Sequence, residues 1–309
     1  MLMPLARTLT PDSDGVVQAA ELLRAGRLVA FPTETVYGLG ADARDGAAVA
    51  AIYAAKGRPS FNPLIVHVAD MARARTIARF DDTALRLAQA FWPGPLTLVL
   101  PLTPDHDIAS LVTAGLDTVA LRVPGHPLAQ TLLRAFDGPV AAPSANPSGR
   151  ISPTRAAHVL AGLGDQIEAV LDGGACAVGL ESTIVGGAPT ALLRAGGVPT
   201  EEIEAIIGPL AAAGSQITAP GQLAAHYAPR VPLRLNATRA TDGEVFVGFG
   251  PGDCDLNLSA TGDMRDAAAQ LFDTLHALDA LGKPAAIAPI PDTGLGRAIN
   301  DRLRRASVR

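Results

Sequence analysis

The chain has 309 residues, 48% hydrophobic and 18% charged, with a formal net charge of −5. That balance excludes a disordered chain and a protein built mainly to coat nucleic acid, and the length is enough for two domains. No uninterrupted apolar stretch approaches the ~20 residues that span a bilayer, since the best candidate, Phe91 to Leu102, is broken by Pro93, Pro95 and Pro101.

In chain order, Val16 to Ala25 reads as a helix closed by Gly26, and Leu28 to Phe31 as a short strand that meets Pro32 and opens into a functional loop. Ala47 to Ala55 is a helix that delivers Lys56 and Arg58 at its exit. Leu64 to Val68 is a strand, Thr83 to Phe91 a helix stopped by Trp92-Pro93-Gly94-Pro95, and Leu96 to Leu100 and Thr118 to Val123 two further strands. Pro127 to Phe136 is helical, and Val140 to Ala142 is a strand running into Pro143-Ser144-Ala145-Asn146. Thr154 to Leu163 is a helix with an expected Ser-Pro-Thr cap. Ala169 to Leu171, Ser182 to Val185 and Ala191 to Arg194 are strands, and Glu201 to Ile207 is a helix. The irregular strand and helix rhythm predicts an α/β fold with a twisted mixed sheet rather than a doubly wound one.

Composition shifts after Gly208. Leu210 to Gly221 is rich in Ala, Gly, Pro and Ser and reads as a linker, so the expected division is 1–208, linker 209–231 and a small α/β domain at 232–309. The second domain is expected to hold strands near Leu233, Val245 and Ala285, a helix at Met264 to Leu281 and a last helix near Leu295 to Arg305. The arginines 302, 304, 305 and 309 read as a solvated cationic helix end. Cys176 and Cys254, with no paired-thiol or Cys/His spacing, argue against a structural zinc site or disulfide scaffold. Met1 to Gly15 lacks the pattern of a signal peptide, so the expected location is the cytosol.

Five segments carry chemistry. Of 25 cationic residues only Lys56 and Lys283 are lysines, so Lys56 beside Arg58 stands out as a point charge next to a planar fork, a combination that grips phosphates. The bland alternative is a solvated surface pair. Thr33, Glu34, Thr35, Tyr37, Gly38 and Gly40 after a strand end supply hydroxyls and close backbone approach, or an ordinary turn. Asn62 and His67 follow Arg58, with His67 otherwise a satisfied core histidine. Thr118, Ala120 and Arg122 alternate onto one strand face, and an inward Arg122 demands an anion: an internal carboxylate or a bound one. Ala142, Ser144, Asn146, Ser148, Gly149 and Ser152 form a Ser/Asn/Gly-rich stretch before a helix, a plausible nest for phosphate oxygens that lacks the P-loop spacing. Ser182 lacks a nucleophile-elbow context, so it and Arg194 read as ligand contacts. The inventory is cations, hydroxyls and amides, with no nucleophile, base and acid set. It suits phosphate chemistry run by positioning and charge stabilisation.

Phe31 to Gly40, Lys56-Gly57-Arg58-Pro59, Asn62 to His67, Trp92 to Thr97, Pro143-Ser144-Ala145-Asn146 and Glu181 to Val185, in this order, resemble the YrdC-type threonylcarbamoyl-AMP synthases over about residues 14–207. The linker and second domain resemble the two-domain branch of that family, whose linker carries a His-Tyr-Ala-Pro motif, here 226–229. The resemblance implies a YrdC-like twisted mixed sheet plus a smaller Rossmann-like α/β domain. It implies a nucleotidyltransferase that converts L-threonine, bicarbonate and ATP into L-threonylcarbamoyl-AMP (threonylcarbamoyladenylate) and pyrophosphate, for use by a separate tRNA threonylcarbamoyl transferase. By motif, Lys56, Arg58, Ser144 and Asn146 are the catalytic set. Thr35, His67, Arg122, Ser144 and Ser182 are expected around threonine and its carbamate. Arg58, Asn62, Thr118, Ala142, Ser152, Arg194 and Tyr227 are expected at ATP, with Mg2+ carried by the phosphates rather than a protein cage. Tyr227 is expected to let the linker close over the site.

Three other readings compete. A hydrogenase-maturation carbamoyl transferase needs further domains and zinc cysteines for which 309 residues and two cysteines leave no room. An RNA-binding module would use a concave basic surface, and weak RNA binding is compatible with the enzyme too, but 4% aromatic content and the acidic net charge weigh against it as the main role. A nucleotide-binding regulator would bind ATP without releasing pyrophosphate.

Overall fold

The computed structural model describes residues 5–212 and 227–308. Its strands are β1 (Arg7–Leu9), β2 (Val29–Phe31), β3 (Gly38–Asp42), β4 (Ile65–His67), β5 (Leu96–Pro101), β6 (Thr118–Arg122), β7 (Val140–Ala141), β8 (Ala169–Leu171), β9 (Thr183–Gly186), β10 (Ala191–Arg194), β11 (Leu233–Arg234), β12 (Val245–Gly248), β13 (Leu256–Asn257) and β14 (Ala285–Ile287). The first ten form one sheet in the order β1-β8-β2-β3-β7-β4-β6-β5-β9-β10, and the last four a second sheet in the order β11-β14-β12-β13. The large sheet mixes parallel pairs such as β4 with β6 and antiparallel pairs such as β5 with β6, while every pair in the small sheet is parallel. The mixed sheet with a second small α/β domain is the predicted fold class. Among the described residues no helix is long and apolar enough to cross a membrane.

Three strands escape the sequence reading, β1, β3 and β13. The second is instructive. It occupies Gly38 to Asp42, read as a loop for want of β-branched residues. A Cβ on Gly40 would lie 2.9 Å from the Phe31 ring and 3.1 Å from the Val29 carbonyl oxygen, so Gly40 serves strand packing and not ligand approach. The predicted Ser-Pro-Thr cap is also corrected. That helix begins at Ala156 with Arg155 at its N-cap and no side-chain cap, because the Thr154 hydroxyl is bonded to Asp273 of the second domain.

Strand alternation sets up the site. Leu64, Val66 and Val68 enter the main core with Val119, Leu121 and Val123, so Ile65, His67, Ala120 and Arg122 face the other side of the sheet. Register then places His67 beside Arg122 and opposite Val140. That half of the sheet face forms the floor of a cavity.

The second domain docks on the first. Its apolar core, with Phe272, Leu271 and Leu275 from the helix Met264–Leu281, takes in Val36, Ile151 and Leu180 of the first domain and Tyr227. Asp273 accepts from Arg155 Nε at 2.7 Å, and the His158 and His276 rings stack at 3.8 Å. Of the expected linker, Ala211 still bridges Ala191 at the edge of the large sheet, Tyr227 and Val231 belong to the second core, and 213–226, including His226, lie outside the described residues. Gly179, at φ +70°, lies so close to the docked helix that a Cβ would fall 2.4 Å from the Ala268 carbonyl oxygen. Gly179→Val combines that clash with a left-handed φ, so it should cost at least about 2 kcal/mol of stability in urea denaturation; an unchanged midpoint would show that the docked contact contributes nothing.

Candidate active site

One cavity, about 50 Å³ in volume, is lined by Thr33, Thr35, Val36, Gly38, Arg58, Ile65, His67, Arg122, Ala142, Pro143, Ser144, Glu181, Ser182, Arg194 and Tyr227. All five chemistry-bearing segments meet there, with Tyr227 from beyond the first domain. Of the sequence-predicted residues, Thr35, Arg58, His67, Arg122, Ala142, Ser144, Ser182, Arg194 and Tyr227 are on its wall. Lys56, Asn62, Thr118, Asn146 and Ser152 are not.

The Lys56 and Arg58 pair splits at Gly57, which ends the helix Gly46–Lys56 in the left-handed conformation, φ +57°. Arg58 goes to the cavity, where Nε and Nη2 donate to the carbonyls of Asn62 and Pro63 at 3.3 and 3.0 Å. Burial, with Arg194 nearby, lowers its pKa to about 10, so it stays cationic at neutral pH. Among the described residues no carboxylate pairs with it. Lys56 turns the other way. Its ammonium, 4% exposed, donates to the Ser144 carbonyl at 2.5 Å and to that of Asn146. Lys56 therefore holds the Ser144 loop from behind rather than gripping a ligand from the opposite side of Arg58. Burial, then Arg58, pull its pKa well down.

Arg122 finds the internal carboxylate. Nη2 donates to Glu34 Oε1 at 2.7 Å, Nη1 to Thr35 Oγ1 at 2.9 Å and Nε to the Gly94 carbonyl at 3.1 Å. Glu34 also accepts from Gly125 N at 2.9 Å; burial would raise its pKa, but Arg122 outweighs that and holds it below the ordinary carboxylate value. Each of the three guanidinium nitrogens thus already donates once to the protein. Its neighbour His67 is 3% exposed, edge-on to Phe31, and its Nδ1 has no hydrogen-bond partner among the described residues. A buried ring nitrogen left so on a cavity wall is a place for a polar ligand atom.

The Ser144 loop is braced from below. Asn146 Nδ2 donates to the carbonyls of Pro147 and Arg150 at 2.8 and 2.9 Å, so Asn146 shapes the loop while Ser144 lines the cavity. Asn62 is buried and supports Arg58 through its carbonyl; its Oδ1 and that of Asn146 have no partner among the described residues. Ser152 is fully buried and donates to Glu181 Oε1 at 2.5 Å. Thr118 lies at the far end of β6 and lines a different hollow with Pro101 and Gly186.

Arg194 wraps Ser182, donating through Nη2 to its carbonyl at 2.8 Å and hydroxyl at 3.2 Å, and Thr97 shares a 2.7 Å hydrogen bond with the same hydroxyl. Glu181 opens the last of the family segments but is not among the expected site residues. Burial pushes its pKa up, yet Arg302 and Arg194 outweigh this and bring it down to about 2. Arg302 is the clearest correction to the sequence reading. It is no solvated helix end: it is 0% exposed and paired with Glu181 at 2.8 Å. No local signal could have found it, because its partner is 121 positions away.

Burial, and Arg122 after it, lower the His67 pKa to about 3 from 6.5, so the neutral ring is the folded form. The unfolded chain takes up this proton below about pH 6.5, so His67 costs stability increasingly as pH falls from there towards 3. In NMR titration the His67 ring signals should stay constant from pH 8 to 5, and a midpoint near 6.5 would place the ring in water instead.

The Sua5/YciO/YrdC family, described as "Telomere recombination", matches residues 21–196, and a domain described as "Threonylcarbamoyl-AMP synthase, C-terminal domain" matches 198–308. The chain is 41% identical to the threonylcarbamoyl-AMP synthase of Bacillus subtilis over a 328-residue alignment covering 97% of this chain and 94% of the relative. It is also 41% identical to that of Pyrococcus abyssi, across 94% of this chain and 93% of the relative. The crystal structure of Pyrococcus abyssi Sua5 complexed with L-threonine superposes with a TM-score of 0.89 at 38% identity, covering 98% of both chains. The matches run through the large-sheet domain and the second domain alike: the chain belongs to the Sua5/YciO/YrdC family in its two-domain form and is an enzyme of the threonylcarbamoyl-AMP synthase kind.

Proposed function

We propose that the chain makes L-threonylcarbamoyl-AMP from L-threonine, bicarbonate and ATP with release of pyrophosphate, and that the product feeds threonylcarbamoyl-adenosine modification of tRNA through a separate transferase. The observation that carries this reading is Arg58: a guanidinium on the cavity wall, bonded to two carbonyls, with no carboxylate partner among the described residues. It shares that wall with hydroxyls and an unpartnered histidine nitrogen suited to a small amino acid. The relative solved with L-threonine supports the amino-acid half.

The chemistry is balanced without a protein nucleophile. The threonine amine takes up bicarbonate and loses water to form a carbamate. A carbamate oxygen forms a bond to the α-phosphorus of ATP, the bond to the bridging oxygen of the β-phosphate breaks, and pyrophosphate leaves with that electron pair. In this reading Arg58 and Arg194 stabilise the phosphate charge, while Thr35, His67, Ser144 and Ser182 hold the threonine and carbamate. Arg122 orients Thr35 and offers its remaining N–H groups to the carboxylate. Mg2+ enters with ATP as part of the substrate. The donors here fit that role better than a resident metal, since Glu34 and Glu181 are both engaged by arginine.

In this reading the wall moves to admit ATP, since the hollow as it stands is about 50 Å³. Tyr227 is the wall residue that belongs to the linker segment 209–231, and its return would shield a hydrolysable mixed anhydride from water. Mass spectrometry of enzyme with threonine, bicarbonate and ATP, each omitted in turn, should show threonylcarbamoyl-AMP only in the complete mixture. Arg58→Ala should lower threonine-dependent pyrophosphate release at least ~10-fold, the loss of one charge-assisted contact. ATP binding with no pyrophosphate released would favour a regulator over an enzyme of this reaction. Tyr227→Ala should lower the yield of intact product more than it lowers pyrophosphate release; equal falls in both would remove the shielding role.

A further inference from the structure

The second domain backs the cavity wall with a buried charge. Arg302 lies in the last helix (Leu295–Ser307) with no solvent exposure. Its Nε donates to Glu181 Oε2 at 2.8 Å, Nη2 to the Ala195 carbonyl at 2.9 Å and Nη1 to Asp301 Oδ2 at 2.6 Å. The flat face of the guanidinium lies over the Tyr227 ring, 4.9 Å from its centroid. Two of these partners, Glu181 and Tyr227, line the cavity, and Ala195 directly follows a third wall residue, Arg194.

Stability alone does not account for this arrangement. Burying an ion pair costs several kcal/mol of desolvation per ion, and apolar side chains of like volume commonly pack as well or better. Glu181 raises the same question from the other side. A carboxylate in the wall of a cavity that takes a triphosphate repels the ligand unless a cation neutralises it. Ser152 supplies only a hydroxyl, on the other carboxylate oxygen. Arg194 of the first domain lies close enough to lower the Glu181 pKa, but the cation bonded to the carboxylate comes from a separate domain, through the side chain that also stacks on Tyr227.

We propose that Arg302 is a positioning residue of the active site: by neutralising Glu181 and seating Tyr227 it makes the docked second domain the completing wall of the nucleotide side of the cavity. The proposal rests on ATP being the substrate. Arg302 touches no substrate. It acts through Glu181 and Tyr227, so its loss is felt by the polyanion more than by the zwitterionic amino acid.

The test uses the full-length chain, with ATP affinity from titration calorimetry and KM for ATP and for threonine from pyrophosphate release. Arg302→Gln should weaken ATP binding about tenfold or more and raise KM for ATP more than KM for threonine, with a smaller change in kcat. Adding Glu181→Gln to it should restore part of the ATP affinity, because the carboxylate that Arg302 had paired is gone; a mere packing defect would not be repaired this way. ATP affinity within twofold of wild type in Arg302→Gln overturns the proposal, as does an equal loss for both substrates with no recovery in the double variant. Should Arg302→Gln not fold, Arg302→Lys carries the test. It keeps a charge but loses the fork and the flat stacking face, so ATP affinity should fall at least threefold with threonine unaffected, and wild-type values for both overturn the proposal. A wild-type chain that binds no ATP overturns the functional reading and this proposal together, a result distinct from the others.

Discussion

A cation taken out of water has to meet oxygen, and this chain takes four of them, Lys56, Arg122, Arg194 and Arg302, out of water around a single cavity. Each solution ties two parts of the wall together. Lys56 joins a helix end to the Ser144 loop, Arg122 joins β6 to the Glu34 turn, Arg194 joins β10 to Ser182, and Arg302 joins the second domain to Glu181. Apolar packing builds the sheet and its helical layers, but these directional bonds set where the hydroxyls stand. The cost of leaving any of these charges unpaired is what makes the geometry specific.

The same constraint shapes the chemistry. The carboxylates on or beside the wall, Glu34 and Glu181, are each spent on an arginine, and burial keeps His67 neutral, so none is poised near neutral pH as a general base. Arg58 is left with carbonyl partners and a half-buried position facing the cavity. A site of this kind accelerates a reaction by orienting reactants and stabilising developing phosphate charge, which is what the proposed attack of a carbamate on ATP requires. The two domains then divide the work. The first supplies the floor and the cations on the cavity wall, and the second supplies Arg302 behind the wall and the face against which Tyr227 is seated.

Most of the elements were legible before any coordinates, for a local reason. The helices Pro127–Phe136 and Met264–Leu281 and the strands Ala169–Leu171 and Ala191–Arg194 sit where periodicity and punctuation put them. The strand at Gly38 to Asp42 was not legible, because its glycines are chosen for close packing on β2 and carry no strand propensity. The helix Met71–Ile77, capped by Asp70, was missed because seven residues are too few to show a period. At the site, alternation along β6 correctly put Arg122 on the inward face but left its partner open between a ligand and an internal carboxylate.

What the amino-acid order determined by itself is the kind of elements, the mixed-sheet class and the groups available for chemistry at the strand ends, since all of these depend on neighbours a few residues apart. Only the tertiary structure decided which cation faces the ligand and which is spent on the protein. It sent Lys56 behind its loop and left Arg58 in front, placed Thr118 at another hollow, and buried an arginine of the last helix against Glu181. Those choices are settled by desolvation, which depends on how much of the whole folded molecule surrounds a charge, and no stretch of sequence reports that.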